Sequence, residues 1–118
     1  MDLQTRLHML CRGGAISQGV LETMLRVLAR LSDHWGLVLD EQNGSRLVTH
    51  LAMALMRIAQ GQAIAAMDRE AYGEFTRHEG FASAAAITAD LIEWARLDIP
   101  ESEREFLISN LCLVIPET

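Results

Sequence analysis

The chain has 118 residues, half of them hydrophobic, and a formal net charge of −6. This length suits a single domain over residues 1–118, and the apolar content is enough for one core. All ten Lys and Arg positions are arginine, against sixteen acidic residues, which leaves no basic face for direct nucleic-acid binding. No apolar stretch reaches the roughly 20 residues that cross a bilayer, and Cys11 and Cys112 form no CxxC pair. We therefore expect a soluble cytoplasmic protein with reduced thiols and no membrane insertion.

Helical spacing of apolar residues begins at the N-terminus. Leucines at intervals of four and three residues predict a helix over 2–11, which ends at Gly13 and Gly14. Ser17 is the expected N-cap of a second helix, whose wide apolar stripe runs to about His34. The first third of the chain therefore predicts two amphipathic helices.

The middle of the chain continues this pattern. The polar residues 40–44 predict a connection, and a third helix follows over about 45–60. An alanine-rich helical region then covers 68–96, where either Gly73 or Gly80 marks a division.

Two capping-box patterns indicate further helix starts. The first is Thr76-x-x-Glu79, and the second is Ser102-x-x-Glu105. The second follows Pro100, which suits the first turn of a last helix. No stretch alternates apolar and polar residues long enough for a strand. The predicted fold class is therefore all-α, with five helices packed as a bundle.

Residues 47–58 set one histidine and one arginine into an otherwise apolar helix. His50 and Arg57 are seven residues apart, so they share a helical face about 10 Å apart along the axis. A neutral imidazole is nucleophilic near neutral pH, and a guanidinium matches phosphate oxygens. From the spacing alone, a satisfied core histidine and an ion-paired arginine are the more ordinary interpretation.

The string His50-Leu-Ala-Met-Ala-Leu-Met-Arg57 resembles DHxxfAxxR, a signature of the PTS regulation domain, or PRD. The segment from Ile99 to Phe106 resembles a second signature of that family, ipxdExaFIaLH. The two signatures stand in the expected order with a long helical region between them. The resemblance covers nearly the whole chain, which is similar to a stand-alone PRD.

The resemblance implies a dimer-forming bundle of PRD type that serves the bacterial phosphotransferase system. Such domains receive phosphoryl groups on histidine from the phosphocarrier HPr or from a sugar-permease B domain. They usually occur in tandem behind an RNA-binding or DNA-binding module of a transcription regulator, and we expect no such module here. The implied roles are phosphoacceptor for His50 and phosphate-stabilising residue for Arg57.

Two positions depart from the family pattern. Thr49 stands where an acid precedes the first histidine, so one group that orients the imidazole is missing. Asn110 stands at the place of the second histidine, and an amide cannot be phosphorylated. The second family site is therefore lost. An alternative hypothesis stays open, in which the chain is a degenerate, non-phosphorylated helical dimer that works as an interaction module.

The remaining residues indicate no further chemistry. His8, His34 and His78 lie on no motif, and no ligands fall at the spacing of a metal site. Neither GxSxG nor a glycine-rich phosphate loop is present. Trp35 and Trp94 are expected to anchor a core or an interface. We therefore expect no enzymatic activity, no metal and no cofactor.

Overall fold

Helices account for all the regular secondary structure in the part of the chain that the structure describes. The computed structural model describes residues 2–62 and 67–115, and within them it contains no strand. The helices are α1 (Leu3–Arg12), α2 (Gln18–Asp33), α3 (Glu41–Ala59), α4 (Arg69–Thr76), α5 (Phe81–Ala95) and α6 (Glu101–Val114). The all-helical class is confirmed for the described residues, whereas the predicted number of five helices is too low.

The chain divides into two compact units, Met1–Ala63 and Ile64–Thr118. In the first unit, α1, α2 and α3 each pack against the other two. In the second unit, α6 packs against both α4 and α5. The single domain and the PRD-type bundle that the sequence suggests remain predictions. Across the described part of the chain, no helix combines the length and the apolar character needed to cross a membrane.

The boundaries of the first two helices follow the sequence prediction. Ser17 Oγ accepts the backbone N–H of Val20 at 3.2 Å, so Ser17 is the N-cap of α2 as expected. Helix α1 ends before Gly14, whose φ of +82° lies in the left-handed region that favours glycine.

Helix α3 begins earlier than predicted. Asp40 Oδ1 accepts the backbone N–H of Asn43 at 2.8 Å, and Asn43 Oδ1 accepts the N–H of Asp40 at 2.7 Å. This reciprocal pair is a capping box with asparagine in the position that Glu or Gln commonly occupies. Residues 40–44 are therefore the cap and the first turn of α3, and the predicted connection there is wrong.

Gly80 is the residue that divides the predicted 68–96 region. It is the N-cap of α5, which has no side-chain cap. Thr76 lies in the last turn of α4, where its Oγ1 donates to the Gly73 carbonyl at 2.7 Å. The predicted Thr76-x-x-Glu79 capping box is therefore wrong, because the threonine closes one helix instead of starting the next.

The second predicted capping box, at Ser102 and Glu105, is also wrong. Pro100 is the N-cap of α6, so Ser102 lies inside the helix. The carboxylate of Glu105 is bonded to Arg69 of α4 and serves tertiary packing. The prediction that Pro100 starts the last helix is confirmed.

Close packing positions the start of α3 against the rest of the first unit. Gly44 is buried, and a Cβ atom there would lie 2.8 Å from Leu39 Cβ and 3.1 Å from Leu3 Cδ1. Only a residue without a side chain fits this approach. This close approach therefore fixes where the start of α3 packs against α1.

Candidate phosphoacceptor site

His50 lies at the edge of the buried stripe of α3. Leu47, Leu51 and Ala54 are buried on one side of it. His50 itself is half-buried, and its Nε2 is buried. His50 therefore lies between the buried stripe of α3 and its solvent-facing side.

The charges along α3 favour an anion near His50. Glu41 is the only acidic residue of the helix, and its cations are Arg46 and Arg57. The Glu41 carboxylate is bonded to the guanidinium of Arg6, which lowers the pKa of Glu41. Glu41 is also about 13 Å from His50 along the axis, at 1.5 Å per residue. No carboxylate of α3 therefore opposes a negative charge on His50.

Arg57 lies in the last turn of α3, two turns beyond His50. It is half-buried, and its backbone carbonyl accepts the N–H of Gln62 at 2.9 Å. A cation at this end also complements the helix dipole. The helix places Arg57 and His50 on one face, as the sequence predicts, but about 10 Å apart along the axis.

The structure places the other three histidines outside α3. His8 and His34 are exposed, and His34 caps the end of α2 beside Trp35, with 5.2 Å between the ring centroids. His78 Nδ1 accepts the N–H of Gly80 at 2.9 Å. A neutral imidazole has one accepting nitrogen, so that bond occupies the atom a phosphoryl group would need.

Asn110 belongs to α6, in the second unit. It is half-buried, and its Nδ2 donates to the Phe106 carbonyl of the same helix at 3.0 Å. The amide is therefore bonded within its own helix. His50 and Asn110, the two signature positions, are thus divided between the two units.

Sequence reasoning missed a set of buried polar groups on α6. Glu105 pairs with Arg69, and this hydrogen bond raises the pKa of Arg69. The Arg69 guanidinium carbon lies 5.3 Å from the centre of the Tyr72 ring. Ser109 Oγ donates to the Glu105 carbonyl at 2.9 Å, and Glu103 is only 1% exposed. Helical periodicity gave no signal for the burial of Glu103, because glutamates in a first helical turn usually face solvent.

Both cysteines are free, and burial raises the pKa of the Cys112 thiol. Within residues 2–62 and 67–115, no three His, Cys, Asp or Glu side chains are grouped so that they could hold a metal ion. Along α3, His50 has Arg46 one turn before it and Arg57 two turns after it on the same flank.

Comparison with known proteins gives relatives along most of the chain. No protein-family model matches it, and no solved structure matches it. The Escherichia coli K12 protein named "Uncharacterized protein YhfY" is 28% identical over 109 residues, which cover 92% of this chain and 91% of that protein. An uncharacterized protein of Haemophilus influenzae Rd is 24% identical over 102 residues, or 86% and 82% of the two chains. These similarities assign no activity.

Proposed function

We propose that this protein is a PRD-like regulatory protein that senses the phosphorylation state of the bacterial phosphotransferase system. His50 is its phosphoacceptor, and the protein acts on transcription or metabolism through a partner. The observation that carries this proposal is the position of His50. It is half-buried on the flank of α3, with an arginine on either side along the helix and no carboxylate after the first turn.

The chemistry is a transfer between two histidines. The lone pair of one His50 nitrogen attacks the phosphorus of a phosphohistidine on HPr or on a sugar-permease B domain. The P–N bond of the donor breaks, and its electron pair stays on the departing imidazole, which takes up a proton while the His50 ring releases the one it carried. Because Nε2 is buried, we expect Nδ1 to form the new bond. The product adds about two negative charges at the edge of a packed helix face, and Arg57 stabilises them from the C-terminal side.

The test is phosphoryl uptake from phosphoenolpyruvate and the general phosphotransferase proteins, with and without a permease B domain. Intact-mass measurement should show one phosphoryl group on the wild-type chain and none on His50→Ala. His8→Ala and His34→Ala are matched controls, because both positions are exposed and neither belongs to the signature. Equal uptake by His50→Ala would reject the site.

The second candidate function is a homodimeric interaction module that is never phosphorylated. It is favoured by the burial of His50 Nε2 and by the bonded amide of Asn110. This candidate is supported if the wild-type chain stays unlabelled by donors that label another acceptor, while light scattering shows a dimer. A dimer is expected under both proposals, so the labelling result decides between them.

A further inference from the structure

We infer that Arg46, one turn before His50, holds the phosphoryl group on His50. This inference rests on the proposed phosphorylation and assigns a role to a residue that lies outside both signatures. Arg46 is exposed on the same flank of α3 as His50. At 3.6 residues per turn, the two residues are separated by roughly 40° around the helix.

Helix geometry favours Arg46 over Arg57 as the first contact. Residues four apart on a helix have Cβ atoms about 5–6 Å from each other. Helical side chains lean towards the N-terminus, so the ring of His50 leans over the turn that contains Arg46. Arg57 starts about 10 Å away along the axis and leans back towards His50, so it reaches the phosphoryl group from farther away than Arg46.

Arg46 is also available to bind an anion. Its helical neighbours three and four residues away are Gln42, Asn43, Thr49 and His50, and none of them is acidic. In residues 2–62 and 67–115, Arg46 makes no hydrogen bond or ion pair. By contrast, Arg6 is bonded to Glu41. The N–H donors of the Arg46 guanidinium are therefore available to bind an anion.

A phosphoryl group on His50 provides the missing partner. It carries about two negative charges and three acceptor oxygens, and a guanidinium donates two parallel N–H bonds to such an anion. Arg46 would bind from the N-terminal side, while Arg57 reaches it from the C-terminal side. The phosphorylated state is then stabilised with no change in the unphosphorylated fold.

The experiment measures the half-life of phosphohistidine at His50 in wild type, Arg46→Ala and Arg46→Lys. The proteins are phosphorylated by the donor proteins and, in parallel, by phosphoramidate, which needs no protein donor. After the donor is removed, Arg46→Ala should lose the group roughly twofold to fivefold faster than wild type, the range for an exposed ion pair. Arg46→Lys should lie between them, because it keeps the charge without the fork.

Arg12→Ala is the matched control, since Arg12 is an exposed arginine of the same unit, in the last turn of α1. It should keep the wild-type half-life, and thermal unfolding of every unphosphorylated variant should match wild type. Equal half-lives in Arg46→Ala and wild type would overturn the role of Arg46 alone. Equal shortening in Arg12→Ala would overturn it as well, by showing a general charge effect. If neither route phosphorylates His50, both the proposed function and this inference are rejected.

Discussion

The two units of this protein place their polar side chains differently. In the first unit the core side chains are apolar, and the candidate residue His50 lies at the edge of that core. In the second unit, four polar side chains are buried: Thr88, Glu103, Glu105 and Ser109. The comparison teaches that a unit of three helices can place a polar side chain at the edge of an apolar core or bury polar side chains inside it.

The arginine–glutamate pairs of the two units repeat this contrast. In the Arg6–Glu41 pair, the side chains are 32% and 34% exposed. In the Arg69–Glu105 pair, the arginine is 66% exposed and the glutamate only 8%. Loss of the arginine would leave a solvated carboxylate in the first unit but a buried one in the second. The second pair is therefore the more consequential for folding.

The largest expected effect tests the apolar packing of the first unit. Gly44→Ala should lower the free energy of unfolding by about 1–3 kcal/mol, because the new Cβ overlaps Leu39 and overpacked cores lose this amount. Gly19→Ala is the control, since a Cβ there meets only Ser17 Oγ, at 3.9 Å. It should leave the unfolding free energy unchanged or slightly raised. Urea unfolding measures both, and equal stabilities would contradict the close approach at Gly44.

The next effect sharpens the contrast between the ion pairs. Arg69→Ala should destabilise the protein more than Arg6→Ala, because it leaves the Glu105 carboxylate buried without its guanidinium. Adding Glu105→Gln to Arg69→Ala should recover part of the loss, since the buried charge is then removed. Urea unfolding at neutral pH compares the variants. A larger loss in Arg6→Ala would reverse the ranking of the two pairs.

The Arg6 variant also has a predictable pH dependence. The bond from Arg6 lowers the pKa of Glu41 below its ordinary value of 4.5. The pair therefore contributes stability above that value and loses it as pH falls through the lowered pKa. Wild type and Arg6→Ala should differ in unfolding midpoint near pH 7 and converge as the pH falls through the lowered pKa of Glu41. A difference that persists in acid would show that Arg6 acts through packing alone.

The smallest expected effect comes from building on α6 an imidazole and a neighbouring arginine like those of α3. Asn110→His restores an imidazole at the second signature position, but α6 carries no charged residue after Glu105. We expect substoichiometric uptake of a second phosphoryl group. Leu113→Arg in that background supplies a guanidinium three residues away, at a position that is 58% exposed. It should raise the second uptake by roughly twofold to fivefold, as for an exposed helical ion pair. Intact-mass measurement checks the series, and unchanged uptake would show that a neighbouring arginine contributes nothing.

Local signals in the sequence predicted much of the fold. The Ser17 cap, the Gly14 turn and the start at Pro100 depend on interactions within a few residues, and the structure confirms them. The start of α3 was missed because the residue that completes the cap is Asn43, and asparagine is also common in turns. The sequence alone does not decide whether Gly73 or Gly80 divides the 68–96 region, because both glycines fit equally well.

The candidate site was predictable only in part. Helical periodicity is enough to place His50 and Arg57 on one flank, and the structure has them there. The burial of Nε2 and of the carboxylate of Glu105 depends on neighbours distant in sequence. Apolar periodicity within one helix carries no information about such neighbours, so it could not predict the buried polar side chains of α6.

Three features fix the start of α3 in place. Its first turn is held by the Asp40–Asn43 box, by the Arg6–Glu41 pair and by the close approach at Gly44. Under the proposed function, the phosphoryl charge would be added beyond this fixed first turn, nearer the middle of the helix. We expect amide hydrogen exchange to differ along the helix, with slower opening in the first turn of α3 than near Ala59.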